Sequence, residues 1–288
     1  MDIIQVKKAS GQLEPFSEEK VILSLKRASV DQNLTKTILT QLKNELYDGI
    51  PTNKIYSSIF ESLKKENPLL LGKFNLKRAI MELGPTGYPF EKFIGALLKH
   101  NGYTVGVGAN VFGKCVNHEV DVVAEKDNQH FMVECKFHNQ PGGCSDVKVA
   151  LYVKARFDDI TAVWREKAGH QTKFHQAWLV TNTKLTSDAI QYGECAGMKL
   201  VGWNYPNKGS LRDLIEDTGL YPITCLSSLS NTQKQILLAH DIVLCRDLLD
   251  IRSNILTYLN LSVDQMERLK DEVEQLCHSS QIQNGAII

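Results

Sequence analysis

The sequence predicts an α/β protein with a mixed central sheet flanked by helices, preceded by a small α+β, mostly helical region and followed by a small all-α region. Three observations predict this class: strands and amphipathic helices that alternate through the middle of the chain, the breaker run GPTG at 84–87, and helical spacing without a strand pattern after Pro222. They divide the chain into regions at 1–84, 85–222 and 223–288.

The first region begins with a β-hairpin and continues as helices. The segments IIQVKK and QLEPF alternate as paired strands do, on either side of a turn at Ser10-Gly11. Ser17 is placed to cap a helix whose apolar residues recur at helical spacing from Val21 to Ala28. Further helices are predicted over 33–47, 52–66 and 72–83.

The second region begins with a helix and then alternates between strands and helices. PFEKFIGALLKHNG places its apolar side chains on one helical face and ends at Gly102. Strands are predicted over 103–107, 117–124, 130–137, 177–183 and 199–203, with helices over 147–165 and 186–195. The last region carries leucines at helical spacing and is predicted to form several short helices.

The composition of the 288 residues is that of an ordinary globular protein, 43% hydrophobic and 23% charged. It contains no apolar run long enough to cross a bilayer and no N-terminal secretory signal, so we expect a cytoplasmic protein without a membrane partner. The seven cysteines form no CxxC pair, which favours free thiols in a reducing compartment. Because 33 basic residues balance 33 acidic ones, contact with nucleic acid requires a local patch.

Acidic side chains and one lysine occupy two of the predicted strands. In HFMVECKF, alternation places Glu134 and Lys136 on one face and apolar residues on the other. An antiparallel pairing with HEVDVVA brings Asp121 close to Glu134. Two converging carboxylates suit Mg²⁺ or Mn²⁺, and a nearby lysine can position or deprotonate a water or stabilise charge on a phosphoryl group. The alternative for this short pattern alone is a solvated surface hairpin.

Two CxxH spacings raise a second alternative, a structural zinc site. The pairs are Cys115 with His118 and Cys135 with His138. Residues three apart on a strand point to opposite faces, so these pairs would not converge. Buried free cysteines are therefore the favoured interpretation.

The block from Pro89 to Trp203 resembles the Mrr-type restriction endonuclease domain of the PD-(D/E)xK nuclease superfamily. FEKFIGALLKHNGYTV resembles the first helix and strand of that domain, HEVDVVA the strand with the metal-binding aspartate, and FMVECKF the strand with ExK. AWLVTNTKLTSDAIQYGECAGMKLVGW resembles its closing strand, helix and strand. The resemblance implies a PD-(D/E)xK nuclease-like fold and a Mg²⁺-dependent (or Mn²⁺-dependent) deoxyribonuclease, a hydrolase of phosphodiester bonds whose substrate is DNA.

The same resemblance implies a set of site residues. The implied catalytic residues are Glu91, Asp121, Glu134 and Lys136, and the implied metal ligands are Asp121, Glu134 and the carbonyl of Cys135. Glu91 lies three residues before Ile94, at the edge of the apolar helix face, so it can point inward. For His118 two interpretations remain open, a structural histidine at a strand end and a residue that orients the site or contacts phosphate. Gln140 precedes Pro141, whereas many such domains carry their glutamine at the start of the next helix.

The first region resembles the ATP-cone, a regulatory nucleotide-binding domain at the N-terminus of ribonucleotide reductases and in a bacterial repressor of their genes. The resemblance rests on VKK and EPF around a glycine turn, on SEEKV, and on DGIPTNKIY. It implies ATP or dATP as a regulatory ligand, with contacts from Val6, Lys7, Lys8, Glu14, Ser17, Lys20, Thr52 and Ile55. Lysines beside a helix N-terminus also suit phosphate on physical grounds, although a solvated basic edge is the favoured explanation of the charge alone. Ala9 stands where a basic residue is common.

Three functions fit these observations. The leading hypothesis is a metal-dependent DNA endonuclease regulated by ATP or dATP. The alternative is a nucleotide-sensing DNA-binding regulator with a nuclease fold that does not cleave, and the intact Asp121, Glu134 and Lys136 argue against it. The third is a nucleotide-dependent oligomerisation protein. The last region resembles helix-hairpin-helix-like domains but carries 5 basic and 8 acidic residues, so we predict that it packs or dimerises rather than binding DNA, and we expect a homo-oligomer, a dimer or higher.

Overall fold

The computed structural model describes residues 4–67, 70–140, 142–164, 174–250 and 258–278. Pro141 and the predicted helix end at 165 lie outside these ranges. None of the helices described is both long and apolar enough to span a lipid bilayer.

The N-terminal region is a three-stranded sheet packed on helices. Strand β1 (Gln5–Lys7) pairs antiparallel with β2 (Leu13–Pro15) and parallel with β3 (Ile50–Pro51). The predicted hairpin is confirmed, with Gly11 at a φ of 83° in its turn. The helices are α1 (Glu18–Arg27), α2 (Gln32–Glu45) and α3 (Thr52–Glu66). Strand β3 was not predicted because two residues show no alternation.

Two short helices join this region to the rest of the chain. They are α4 (Leu71–Phe74) and α5 (Leu76–Met81), separated at Asn75, where the sequence predicts one continuous helix. The Asn75 side chain accepts the hydroxyl proton of Tyr56 from α3. Leu71 packs in the core of the N-terminal region, whereas Leu76 packs in the core of the central and C-terminal regions. The break at Asn75 therefore lets one segment contribute side chains to both cores.

The central sheet has five strands in the order β10–β8–β6–β5–β4. The strands are β4 (Thr104–Phe112), β5 (Asn117–Lys126), β6 (Gln129–Lys136), β8 (Phe174–Thr181) and β10 (Lys199–Val201). Strand β5 pairs antiparallel with both β4 and β6, whereas β8 pairs parallel with both β6 and β10, which confirms a mixed sheet. A separate two-stranded sheet of β7 (Cys144–Ser145) and β9 (Lys184–Leu185) was not predicted, because its strands are too short to show a pattern.

Helices cover both faces of the sheet. Helix α6 (Tyr88–His100) packs on one face, and α7 (Val147–Trp164) and α8 (Ser187–Cys195) pack on the other. Val133 of β6 is buried toward α6 and Met132 toward α7, so both sides of this strand are covered, as predicted. A Cβ on Gly95 of α6 would lie 2.9 Å from the Val107 side chain, so glycine permits the close approach of α6 to β4.

The C-terminal region is helical, as predicted, within the residues the structure describes. Its helices are α10 (Asn231–Ala239), α11 (Asp247–Asp250) and α12 (Val263–His278), with a 3₁₀ turn at Ile223–Cys225, and they follow α9 (Leu211–Thr218), a helix at the end of the central region that was not predicted. Their apolar side chains share one continuous core with α6, from Leu76 to Leu276. The buried Glu272 carboxylate accepts the backbone N–H groups of Ser227 and Ser228 at 2.6 and 2.9 Å, which anchors α12.

Candidate active site

The site lies where β5 bends away from β6. Val120 is buried in the core beneath α7, whereas Val122 is buried in the core beneath α6. The two valines would share a face on a flat strand, which is what the sequence predicts, so the strand must twist sharply at Asp121. Gly108 lies opposite Asp121 on β4 with a φ of 66°, a backbone conformation that permits this distortion.

Asp121 and Glu134 come together at this bend. The ladder between β5 and β6 ends at the pair Val122 and Val133, one residue short of both carboxylates. Beyond it, Asp121 Oδ2 accepts the backbone N–H of Cys135 at 2.7 Å, which holds the Asp121 carboxylate beside Glu134. The Cys135 thiol is buried in the opposite core, where burial raises its pKa well above the usual value. The charges of Asp121, Glu91 and Glu134 add to this rise.

Glu91 lies in the first turn of α6 and belongs to the same cluster. Its side chain is half-buried, and the absent side chain of Gly87 leaves room for it, since a Cβ there would lie 3.2 Å from Glu91 Oε1. Burial raises the pKa of Glu91 to about 7, and the charges of Asp121 and Glu119 add to the rise. The prediction that Glu91 points inward is consistent with this electrostatic proximity.

Arg156 of α7 is the cationic partner of the cluster. Its Nη1 lies 2.5 Å from Glu134 Oε1, and its Nη2 donates to the backbone carbonyl of Glu119. The Arg156 residue is only 9% exposed, so this ion pair is shielded from water. The guanidinium also lies 5.3 Å from the ring centre of Tyr152, one helical turn earlier on α7.

The carboxylates are electrostatically coupled. Burial raises the pKa of Glu134 to about 7, the charge of Asp121 adds to this rise, and Arg156 opposes it. Burial also raises the pKa of Asp121, while the Cys135 N–H and Arg156 lower it. Because the groups influence one another, the protonation of each carboxylate depends on the charge of the others.

Lys136 lies at the end of β6, two residues beyond Glu134. It is exposed and stands opposite Thr181 in the last pair of β6 with β8. Its charge lowers the pKa of Asp121, which places the lysine within electrostatic reach of the carboxylates. Beyond Lys136, the buried Asn182 side chain accepts the N–H of His138 and donates to its carbonyl, both at 2.8 Å. This amide extends the sheet pairing and fixes the chain after Lys136.

His118 contacts α7 rather than the carboxylates. Its Nε2 lies 2.8 Å from Asp159 Oδ2, and the same carboxylate accepts the backbone N–H groups of Cys115 and Val116. The contact fastens the turn between β4 and β5 to α7. This geometry supports the structural interpretation of His118.

The carboxylates also fit a divalent cation in one respect. Glu134 Oε2 is buried and has no hydrogen-bond partner among the described residues. A bare carboxylate oxygen beside a second carboxylate is a ligand arrangement that Mg²⁺ and Mn²⁺ accept. Across the described ranges, no three His, Cys, Asp or Glu side chains are grouped to hold a metal, so other ligands would be backbone oxygens or water.

The residues proposed for nucleotide contact are partly brought together. Glu14 of β2 bonds both Lys8 at 2.6 Å and Lys20 at 3.1 Å, and Ser17 accepts the N–H of Lys20 at the start of α1. The Thr52 hydroxyl donates to the carbonyl of Lys7 at 3.1 Å, beside this group. The side chains of Val6 and Ile55 are instead buried in the N-terminal core.

Sequence reasoning missed two residues of the site region, and each left a signal. Arg156 lies three residues after Val153 and four before Ile160, so helical spacing places a charge on the buried face of α7. Asn182 is a polar residue at the end of an apolar strand, VTNT, where a buried amide needs partners. A buried charge or amide inside an apolar pattern could have identified both.

Comparisons with known proteins relate the central and C-terminal regions to known families. A family model described as restriction endonuclease matches residues 84–204, so the central domain is of the restriction endonuclease class. A second model, described as AF1548-like, C-terminal, matches residues 221–277. An uncharacterized protein from Archaeoglobus fulgidus is 38% identical over 180 residues, which are 62% of this chain and 97% of that protein. The chain belongs to this AF1548-like family.

A solved structure supports the family assignment. The crystal structure of a protein of unknown function, AF1548, has 34% sequence identity and a TM-score of 0.55, over 68% of this chain and all of that chain. Both family models begin at or after residue 84, so they add nothing about the N-terminal region.

Proposed function

We propose that this protein is a metal-dependent DNA endonuclease that hydrolyses phosphodiester bonds and responds to ATP or dATP bound by residues 1–84. The observation that carries the nuclease half is the pair of half-buried carboxylates, Asp121 and Glu134, at the fork of two strands inside a restriction endonuclease domain. Two carboxylates with raised pKa values, one with a bare oxygen, are unfavourable for folding alone, which indicates a functional reason.

Each residue has a role in this proposal. Asp121, Glu134 and the Cys135 carbonyl would hold Mg²⁺ or Mn²⁺, which would polarise a phosphoryl oxygen and supply an activated water. Lys136, exposed beside the carboxylates, contacts the phosphodiester that enters from solvent and stabilises its developing negative charge. Glu91, whose pKa is raised to about 7, can take up a proton from water near neutral pH.

Cleavage of supercoiled plasmid tests the nuclease half. Unmodified and methylated plasmids are incubated with Mg²⁺ or Mn²⁺, and nicked and linear products are measured over time. We expect Asp121→Ala and Lys136→Ala each to lower the rate by at least about a hundredfold. Lys36→Ala, an exposed lysine of α2, is the matched control and should cut at the wild-type rate. Wild-type rates in both site variants would overturn the assignment.

The nucleotide half rests on the N-terminal group alone. Lys8 and Lys20 converge on Glu14 beside the start of α1, where backbone N–H groups favour anions. A triphosphate would replace Glu14 as the partner of both lysines. Because α4 and α5 run from this region into the nuclease core, nucleotide bound here could alter the site or the assembly.

Titration with fluorescent ATP and dATP analogues tests this half separately. Lys20→Ala should weaken binding by about tenfold, the loss expected for one charge-assisted phosphate contact. Lys26→Ala, an exposed lysine in the last turn of α1, serves as control. Light scattering with and without nucleotide reports the predicted homo-oligomer. Equal affinity of wild type and Lys20→Ala would reject this site.

One observation favours the non-cleaving alternative, a nucleotide-sensing DNA-binding regulator. Arg156 already balances Glu134, so the carboxylates have a stable arrangement without a metal ion. A mobility-shift assay in Mg²⁺ or Mn²⁺ separates the two functions. Bound but intact DNA supports the regulator, and cleaved DNA excludes it.

A further inference from the structure

The ion pair between Arg156 and Glu134 is the basis of this inference, which rests on the metal site proposed above. The guanidinium makes two contacts in the site, with Glu134 Oε1 at 2.5 Å and with the backbone carbonyl of Glu119. Both side chains are shielded, with relative exposures of 10% for Arg156 and 16% for Glu134. In such an enclosed ion pair, the loss of one partner leaves the other charge buried and uncompensated, which is strongly destabilising.

The two oxygens of Glu134 are used unequally. Oε1 is taken by Arg156, while Oε2 is buried and has no hydrogen-bond partner among the described residues. A divalent cation attracted to Oε2 and Asp121 would lie within a few ångströms of the guanidinium. The cation and the guanidinium would repel each other strongly in this shielded site, so Glu134 cannot bind both tightly at the same time.

We propose that Arg156 is the resting counter-ion of the carboxylate pair and that a divalent cation must displace it from Glu134. Arg156 is thus a positioning residue that keeps Asp121 and Glu134 in place before the metal binds. Occupation of the site by metal and the ion pair with Arg156 are mutually exclusive.

Tyr152 contacts the guanidinium while Arg156 is paired with Glu134. It lies one turn earlier on α7, its side chain is 60% exposed, and its ring centre is 5.3 Å from the guanidinium carbon. An arginine that leaves Glu134 can stack on this ring at the protein surface, where its charge is hydrated.

Mn²⁺ binding to the full chain tests the displacement. Free Mn²⁺ is counted by electron paramagnetic resonance for wild type, Arg156→Gln and Arg156→Met, the second of which keeps an apolar stem for packing. We expect both variants to bind Mn²⁺ about tenfold more tightly, equivalent to about 1.4 kcal/mol. Lys148→Gln removes an exposed charge from the start of the same helix and should change the affinity by less than about twofold.

The sign of the effect separates this role from a purely structural one. If Arg156 only holds Glu134 in place, its removal loosens the site and Mn²⁺ binds more weakly. Equal or weaker binding by folded variants, checked by thermal unfolding, therefore overturns the inference. Asp121→Ala tests the metal site separately from the displacement of Arg156. If Asp121→Ala abolishes the Mn²⁺ binding that wild type shows, the metal site is supported even where the Arg156 variants contradict the displacement. If wild type binds no Mn²⁺, the inference and the proposed function fail together.

Discussion

Replacing Glu134 with glutamine should stabilise the metal-free protein at alkaline pH. Burial raises the pKa of Glu134 from 4.5 to about 7, so the folded state holds its proton more tightly than the unfolded state does. Stability from this group is fully present below about pH 4.5 and is lost as the pH rises through about 7. Glutamine resembles the protonated acid in shape and still offers an oxygen to Arg156, so the variant should not lose this stability.

The magnitude follows from the shift. A change from 4.5 to about 7, at 1.36 kcal/mol for each pKa unit, sets a ceiling of about 3 kcal/mol at pH 8. Coupling to Asp121 and Arg156 divides this energy among the three groups, so we expect about 1 to 3 kcal/mol. The advantage of Glu134→Gln should shrink toward pH 5.

Urea unfolding in EDTA at pH 5 and pH 8 measures this difference. The control is Glu61→Gln, an exposed glutamate of α3, which should shift stability by less than about 0.5 kcal/mol at either pH. A Glu134→Gln protein that is no more stable than wild type at pH 8 would refute the reasoning. It would mean that Arg156 fully compensates the buried charge.

Three further predictions concern stability in the central and C-terminal regions. Asn182→Ala should lower stability by about 2 kcal/mol in urea unfolding, because the N–H and carbonyl of His138 lose their partner, and unchanged stability would contradict the proposed clamp. In the β5–β6 turn, Asp127 and Asn128 have left-handed φ values of 52° and 57°. Asn128→Gly should therefore be as stable as wild type, whereas Asn128→Ala should lose about 1 kcal/mol of folding free energy. Equal thermal stability of the two variants would count against a left-handed turn. Glu272→Gln should destabilise the protein by about 2 kcal/mol, because the carboxylate accepts two backbone N–H groups and an amide has only one oxygen to do so. Full stability of Glu272→Gln in urea unfolding would argue against this anchor.

The order of elements in the central domain could be predicted because the apolar residues of each long helix or strand recur with the spacing typical of that element. The strands over 117–124 and 130–137 and the helix that carries Glu91 appear in the structure with shifts of a few residues at their ends. Alternation also placed Asp121 near Glu134. Strand β4 continues to Phe112, five residues beyond its predicted end, because Gly106 and Gly108 interrupt the apolar alternation without ending the pairing with β5.

Other features depend on partners that lie far away in the sequence. The twist at Asp121 requires Gly108 on the neighbouring strand, and the division between α4 and α5 requires two separate cores. The break at Asn75 has no local signal, since asparagine is tolerated inside helices. Arg156 meets Glu134 only after α7 crosses the sheet, 22 residues later in the chain.

The single apolar core shared by α6 and the C-terminal helices limits how this protein can be divided. Leu237, Val273 and Leu276 are buried with Phe93 and Leu97 in one cluster. A fragment that stopped before the C-terminal helices would expose this apolar surface to water and would be prone to aggregate. The helix that carries Glu91 thus shares its core with the C-terminal helices, so the central domain and these helices should be expressed and engineered as one unit.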